Sequence, residues 1–247
     1  MTTKNPEALR PPKQVLVKLL AVVLLSASML MMLPRLLTLP AGNDVNLLKM
    51  FNEHAQIEHS KATRDDLPAL AYALSGYLAY GAPDSLDEFS LPGQETPAFS
   101  EVETLHLKDV KALFDQAKTL FYAGLVLFAG LVVLFFFFGS TWRQRGMIVA
   151  RALRWAAVVC VLILLLMVLM TSFDFSSAFF LFHEVLFDNE LWLLNPQTDL
   201  LVQLMPEPFF LEYAKDFVVT IGIVFFVILL VTSLVIFLLK AGKHNEA

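Results

Sequence analysis

The chain is poor in the features that most soluble enzymes rely on. A single cysteine, Cys160, stands among 247 residues, so no disulfide framework, CxxC pair or lipobox-type lipidation site can be built. The ten glycines form neither a phosphate-cradling loop nor a GxSxG nucleophile elbow, which removes the common nucleotide-binding and serine-hydrolase signatures. Charge is also scarce: 17% of residues are Asp, Glu, Lys or Arg, against 57% hydrophobic and a mean hydropathy of +0.65. That balance lies outside the soluble average and inside the membrane class. No internal repeat or low-complexity tract is present.

Four stretches are long and apolar enough to cross a ~30 Å hydrocarbon core, which takes about 20 residues. Val15–Leu37 carries only Lys18 and Arg35, near its ends, where long cationic stems reach the interface. Thr119–Trp142, Trp155–Phe173 and Phe217–Leu239 carry no charge. The expected fold class is an all-α membrane protein with four transmembrane helices and a mostly helical extracytoplasmic cap. The boundaries expected are a cytoplasmic N-terminus at 1–14, spans at 15–39, 117–142, 155–173 and 215–239, cap segments at 40–116 and 174–214, a basic cytoplasmic loop at 143–154 and a cytoplasmic tail at 240–247. The first apolar run is longer than a cleaved signal's roughly 7–15 residues, so a retained signal anchor is expected. No acid or base sits at the centre of a span, where transport pathways usually place one, which disfavours transport.

Orientation follows from the bases. Lys4, Arg10, Lys13 and Lys18, then Arg143, Arg145, Arg151 and Arg154, then Lys240 and Lys243 face only two acids, Glu7 and Glu246. These segments are therefore expected in the cytoplasm. The two long intervening loops hold the other 21 acids with six bases, so the net charge of −5 conceals an acidic outer face, which excludes nucleic acid as a partner.

Within the first outer loop, Asn43 or Asp44 can cap a helix running to about His59. Asp66 followed by Pro68 opens a second helix that Gly81 stops. Residues 82–97 are rich in Pro, Gly, Asp and Ser and are expected as an irregular linker with room for a short hairpin. Ser100 and Glu103 match a capping box, so a helix is expected to start there and continue into the second span. Asn195-Pro196 is expected to start a short helix over LLVQLM, and Pro206 and Pro208 to end it.

The stretch from Ser172 to Phe210 draws attention. Six Phe residues (173, 175, 179, 180, 182 and 187) crowd the single imidazole of His183, with acids at Asp174, Glu184, Asp188 and Glu190. On the helix opened by Ser100, His106 has Glu103 and Asp109 one turn to either side. A lone histidine in an apolar stretch is usually a structural donor. Two histidines at the same boundary of the bilayer suggest more, because imidazole takes and gives protons near neutral pH and a carboxylate can fix its tautomer. His54 and Glu58 are spaced i,i+4, but HAQIEH lacks the HExxH order of a zinc helix. His54 and His59 are therefore expected as solvated surface residues, and no metal or cofactor is expected. Gly124 and Gly130 are six apart, not GxxxG, and suit close helix packing in a loose sense.

The block FSEVETLHLKDVK (Phe99–Lys111) and the later FHEVLFDNELWLLNPQTDLLVQLMPEPFF (Phe182–Phe210) resemble the two signature regions of the bacterial lipoprotein intramolecular transacylase (Lit) family. The resemblance extends to four spans with both signatures outside. It implies an enzyme of the bacterial plasma membrane acting at the outer-leaflet face, with two catalytic histidines at the junction of cap and membrane, by position His106 and His183. The implied reaction moves the sn-2 acyl chain of a diacylated lipoprotein to the α-amino group of its N-terminal cysteine. Glu103 and Asp109 could then orient His106, Asp188 could serve His183, and Phe99, Phe179, Phe182, Phe187, Trp192 and Phe209 would line an acyl pocket, with membrane lipid as the further partner. Two other readings compete: a non-enzymatic membrane interaction or sensor protein with an acidic cap, and a metal-dependent membrane hydrolase using His54, Glu58 and an outer-face histidine. Neither substrate identity nor oligomeric state is legible.

Overall fold

The computed structural model describes residues 11–58, 60–137 and 141–241. Among them are eight α-helices and one short 3₁₀ turn, with no strand. In chain order the helices are α1 (Pro11–Thr38), α2 (Asp44–His54), α3 (Leu67–Tyr80), α4 (Glu101–Phe136), α5 (Trp142–Phe173), α6 (Phe175–Leu186), α7 (Leu200–Leu204) and α8 (Glu207–Ala241), the 3₁₀ turn Arg64–Asp66 preceding α3. Four of these, α1, α4, α5 and α8, are long and apolar enough to cross a membrane. Their apolar windows are only 17–28% buried within the protein, so most of that surface needs an apolar solvent.

By contacts the chain divides into two units. The first holds the described residues of Met1–Met32, Tyr122–Leu165 and Ile221–Ala247. Its interior is built on small side chains, as expected where no hydrophobic effect drives helices together and close backbone approach must do so. Ala156, Ala157 and Cys160 are buried, the Cys160 thiol approaches the Ser26 carbonyl at 3.7 Å, and Ser26 Oγ lies 3.4 Å from the Ala156 carbonyl. Gly124 meets α1 so closely that a Cβ there would stand 2.8 Å from the Ser28 carbonyl oxygen, whereas Gly130 faces open space. Arg143 Nε donates to the Leu239 carbonyl at 2.6 Å, and its Nη2 to the carbonyls of Leu239 and Lys240, so a guanidinium satisfies the last turn of α8.

The second unit comprises Leu33–Phe121 and Leu166–Thr220. Its core joins Leu47, Met50 and Phe51 of α2, the buried face of α3, Leu107 of α4, Leu200, Leu201 and Leu204 of α7, and Phe209. Asn43 caps α2 by accepting the Asn46 N–H at 3.0 Å. Gly81 closes α3 with φ of 66°, the left-handed conformation glycine adopts without strain. In the linker, a lone antiparallel bridge pairs Ser90 with Pro97.

Several sequence expectations are corrected. Helix α2 stops at His54, because the chain turns to let the Gln56 N–H reach the Gln203 carbonyl at 2.7 Å. His54 is half-buried rather than a solvated surface residue: its ring packs edge-on against Phe209 at 6.5 Å and its Nε2 is buried without a partner among the described residues. His59 lies outside the described residues. The basic stretch 143–154 is helical, forming the first turns of α5, and α4 ends at Phe136 before Trp142. Thr141 marks the start of α5 by accepting the Gln144 N–H on its hydroxyl and the Arg145 N–H on its carbonyl. Asn195-Pro196 forms a turn rather than a helix start, with the Asn195 carbonyl accepting the Thr198 and Asp199 N–H groups, and Pro208 falls in the first turn of α8 instead of closing α7.

Candidate active site

The second unit brings His106 and His183 together, although 76 positions separate them in the chain. Helix α4 starts as its sequence dictates, the Ser100 N–H donating to Glu103 Oε2 at 2.7 Å and the Glu103 N–H to Ser100 Oγ at 3.3 Å. His106 sits in its second turn. All seven Asp, Glu, Lys and Arg residues of α4 lie between Glu101 and Lys118, while a 36-residue helix is ~54 Å long at 1.5 Å per residue, far more than a bilayer needs. The spanning part is thus the charge-free stretch after Lys118, and His106 lies outside it. Helix α6 is capped by Asp174, which accepts the Ser177 N–H at 3.0 Å, and carries His183 in its last turn.

The two imidazole centroids are 6.3 Å apart with ring planes at 37°. His106 is 7% exposed and His183 8%. Phe187 touches both rings, at 5.1 Å from His106 and 5.8 Å from His183. Around His183 also stand Phe179 at 4.3 Å, Trp192 stacked at 4.9 Å and Phe182 edge-on at 5.4 Å.

Hydrogen bonding distinguishes the two rings. His183 Nδ1 lies 2.7 Å from the Phe179 carbonyl oxygen. A carbonyl only accepts, so Nδ1 carries the hydrogen and the neutral ring presents its lone pair on Nε2. His106 Nδ1 is buried with no partner. Burial lowers the His106 pKa from 6.5 to about 4, nearby His183 adding to the fall and Asp109 opposing it. Burial likewise lowers that of His183, with the Phe179 carbonyl pulling the other way. Both rings are neutral at pH 7.

The remaining expected residues separate into those near the imidazoles and those elsewhere. Glu103 does not orient His106: one carboxylate oxygen caps α4 and the other accepts the Leu201 N–H at 2.6 Å, tying α7 to α4. Asp109 accepts a hydrogen bond from Asn189 Nδ2 at 2.9 Å, and so acts on His106 through its charge rather than by contact. Asp188 is exposed and has no hydrogen bond or ion pair among the described residues. Phe99 stacks on Phe89 at 6.2 Å, and Phe209 belongs to the core with Phe51, Phe210 and Tyr213. Neither lines the imidazole pair. Two clefts of about 640 and 370 Å³ occur in this unit, and neither imidazole lines them. Asn189 and Phe210, which packs on Phe179 at 5.1 Å, are the contributors that sequence reading overlooks. The only signal at Asn189 is its turn-forming D-N-E context. No group of three His, Cys, Asp or Glu side chains suited to a metal ion occurs among the described residues.

Four membrane-length helices and two desolvated, aromatic-walled imidazoles define a membrane-integral protein with a paired-histidine site. Comparison with known proteins gives the class a family. The family model described as lipoprotein intramolecular transacylase Lit matches residues 17–210, and the chain belongs to that family, which makes it an acyltransferase. Among solved structures, the membrane-integral lipoprotein intramolecular transacylase Lit from Bacillus cereus is similar at 17% identity and a TM-score of 0.65, over 94% of this chain and 99% of that one. Two variants of the same protein, with one histidine replaced by arginine or by alanine, give 17% and 18% identity with TM-scores of 0.63 and 0.60. They cover 95% of this chain and 96% and 98% of their own. The likeness to these structures is one of fold. No curated protein sequence matches.

Proposed function

We propose that the chain moves the sn-2 acyl chain of a diacylglyceryl-modified lipoprotein onto the α-amino group of the same N-terminal cysteine, giving the lyso form. His183 acts as general base and then as general acid, and His106 as hydrogen-bond donor to the oxyanion. The observation that carries this reading is the approach of two neutral imidazoles within one aromatic enclosure.

In this reading the α-amino nitrogen attacks the sn-2 carbonyl carbon, and its proton passes to the lone pair on His183 Nε2, the atom left free by the Phe179 hydrogen bond. For His106, an N–H on the enclosed Nδ1 would be a stranded donor, which native structures seldom tolerate. Its hydrogen therefore sits on Nε2, where it donates to the tetrahedral oxyanion, while the proton that His183 took from the amine passes to the departing glyceryl oxygen as the ester C–O bond breaks. The amide C–N bond is retained, and both rings end in the neutral form in which they began. Neither ring forms a hydrogen bond with a serine or cysteine side chain among the described residues, so direct attack by the substrate's amine is favoured over an acyl-enzyme. Donor ester and acceptor amine belong to one molecule, and holding them together supplies roughly 7–11 kcal/mol of a barrier when alignment is good.

The apolar surface of α6 supports a role for lipid. Val185 is 73% exposed, with Phe180, Leu181 and Phe182 also exposed, which suits a helix facing acyl chains. The excess of Lys and Arg in the flanks and in the first turns of α5 supports cytoplasmic termini and a site at the outer leaflet of the bacterial plasma membrane.

A crossover experiment tests the reaction. Two diacylated lipopeptides differ in peptide mass, and one carries an isotope-labelled sn-2 chain. Label found only on the amine of its own peptide is expected; label on the other peptide, or released as free fatty acid, overturns the reading.

A further inference from the structure

The larger cleft of the second unit, about 640 Å³, lies between the segment after α2, the turn before α7 and the first turn of α8, and the mechanism above does not use it. Its charged groups among the described residues, Glu58 and Glu207, are both acids, and no described Lys, Arg or His lines it. Three of the lining residues are prolines, which have no N–H to donate. Gln203 adds an acceptor: it is 2% exposed, its Nε2 donates to the Pro196 carbonyl at 2.9 Å, and its Oε1 has no donor. Such a wall suits a ligand rich in N–H donors and positive charge.

The cleft is also tied to the histidine helix. Ser176 Oγ donates to Glu207 Oε1 at 2.6 Å. Ser176 precedes His183 by seven residues on α6, about 10 Å of helical rise. Three residues of extended polypeptide, at roughly 3.3 Å each, cover the same distance.

We propose that this cleft is the subsite for the substrate's polypeptide, binding the extended, basic segment that follows the acylated cysteine. Gln203 Oε1 accepts a backbone N–H, while Glu58 and the second oxygen of Glu207 receive ammonium groups. The assignment rests on the acyl-transfer reading and gives it a source of specificity beyond the lipid.

The test uses two substrates with the same lipid, one ending one residue after the cysteine and one continuing with four lysines. They are given to the full-length protein, to Glu58→Lys and to Val202→Trp, whose indole would fill the cleft. Wild type is expected to show a KM about tenfold lower for the lysine-tailed substrate, as one or two such charge pairs supply. Both substitutions are expected to abolish that preference while leaving kcat/KM for the short substrate unchanged. Equal KM values in wild type, or an undiminished preference in both variants, overturn the assignment. Binding of a fluorescent, unacylated lysine-tailed peptide reads the cleft without catalysis: saturable binding that Glu58→Lys weakens supports it, and no binding by wild type overturns it. A wild type that binds this peptide but converts neither substrate overturns the acyl-transfer reading and leaves the cleft standing.

Discussion

Acidification offers a direct measure of how dry the imidazole pair is. His106 keeps its neutral form from the ordinary 6.5 down to about 4, chiefly because burial penalises the charged ring. At 1.36 kcal/mol per tenfold change in proton affinity, that depression corresponds to roughly 3 kcal/mol. The sign is fixed by linkage. An unfolded chain takes up the proton near 6.5 and the folded one only near 4, so the unfolded state binds more protons between those values and stability falls as pH drops through that window. His106→Gln keeps the shape and polarity of the side chain but cannot titrate. In thermal unfolding of detergent-solubilised protein, the wild type should lose about 3 kcal/mol more than His106→Gln between pH 6.5 and 4, with the two curves parallel above pH 7. Parallel loss throughout would show that His106 is solvated and would refute the desolvation argument.

Other consequences are smaller. Asn189→Ala removes the bridge to Asp109 that holds the turn between Phe187 and Trp192 against α4; the lost hydrogen bond is worth about 1–2 kcal/mol, so kcat/KM should fall about five- to thirtyfold in a lipopeptide assay. Asp109→Asn, whose amide oxygen still accepts from Asn189, should lose less. Gly124→Ala places a Cβ 2.8 Å from the Ser28 carbonyl and should lower the Tm by an amount equivalent to about 1–3 kcal/mol, whereas Gly130→Ala, with open space around it, should be neutral.

The elements read correctly from sequence are those whose signals are local. Ser100 and Glu103 sit three apart and meet as a capping box, Gly81 stops α3 through its own left-handed backbone, and the apolar runs mark four spans. Span boundaries drawn from charge did not coincide with helix boundaries, because charge marks where an apolar stretch ends and says nothing of the backbone. Arg143–Arg154 therefore continue as helix, and the charged first half of α4 is continuous with its apolar half. The position of α2's end depends on Gln56 meeting Gln203, 147 residues on, which no window of sequence contains. The same holds for Glu103, whose second oxygen is taken by Leu201, and for His54, whose ring is covered by Phe209. The approach of His106 to His183 was expected from their shared boundary; the aromatic enclosure was only half legible, since Phe99 and Phe209 serve other contacts.

The central claim is that both imidazoles carry the acyl transfer. Purified wild type, His106→Ala and His183→Ala are incubated with a diacylated lipopeptide, and the N-terminal cysteine is read by mass spectrometry. Each alanine variant should convert at least about 10²-fold more slowly than wild type while remaining folded. Full conversion by either one would contradict the account.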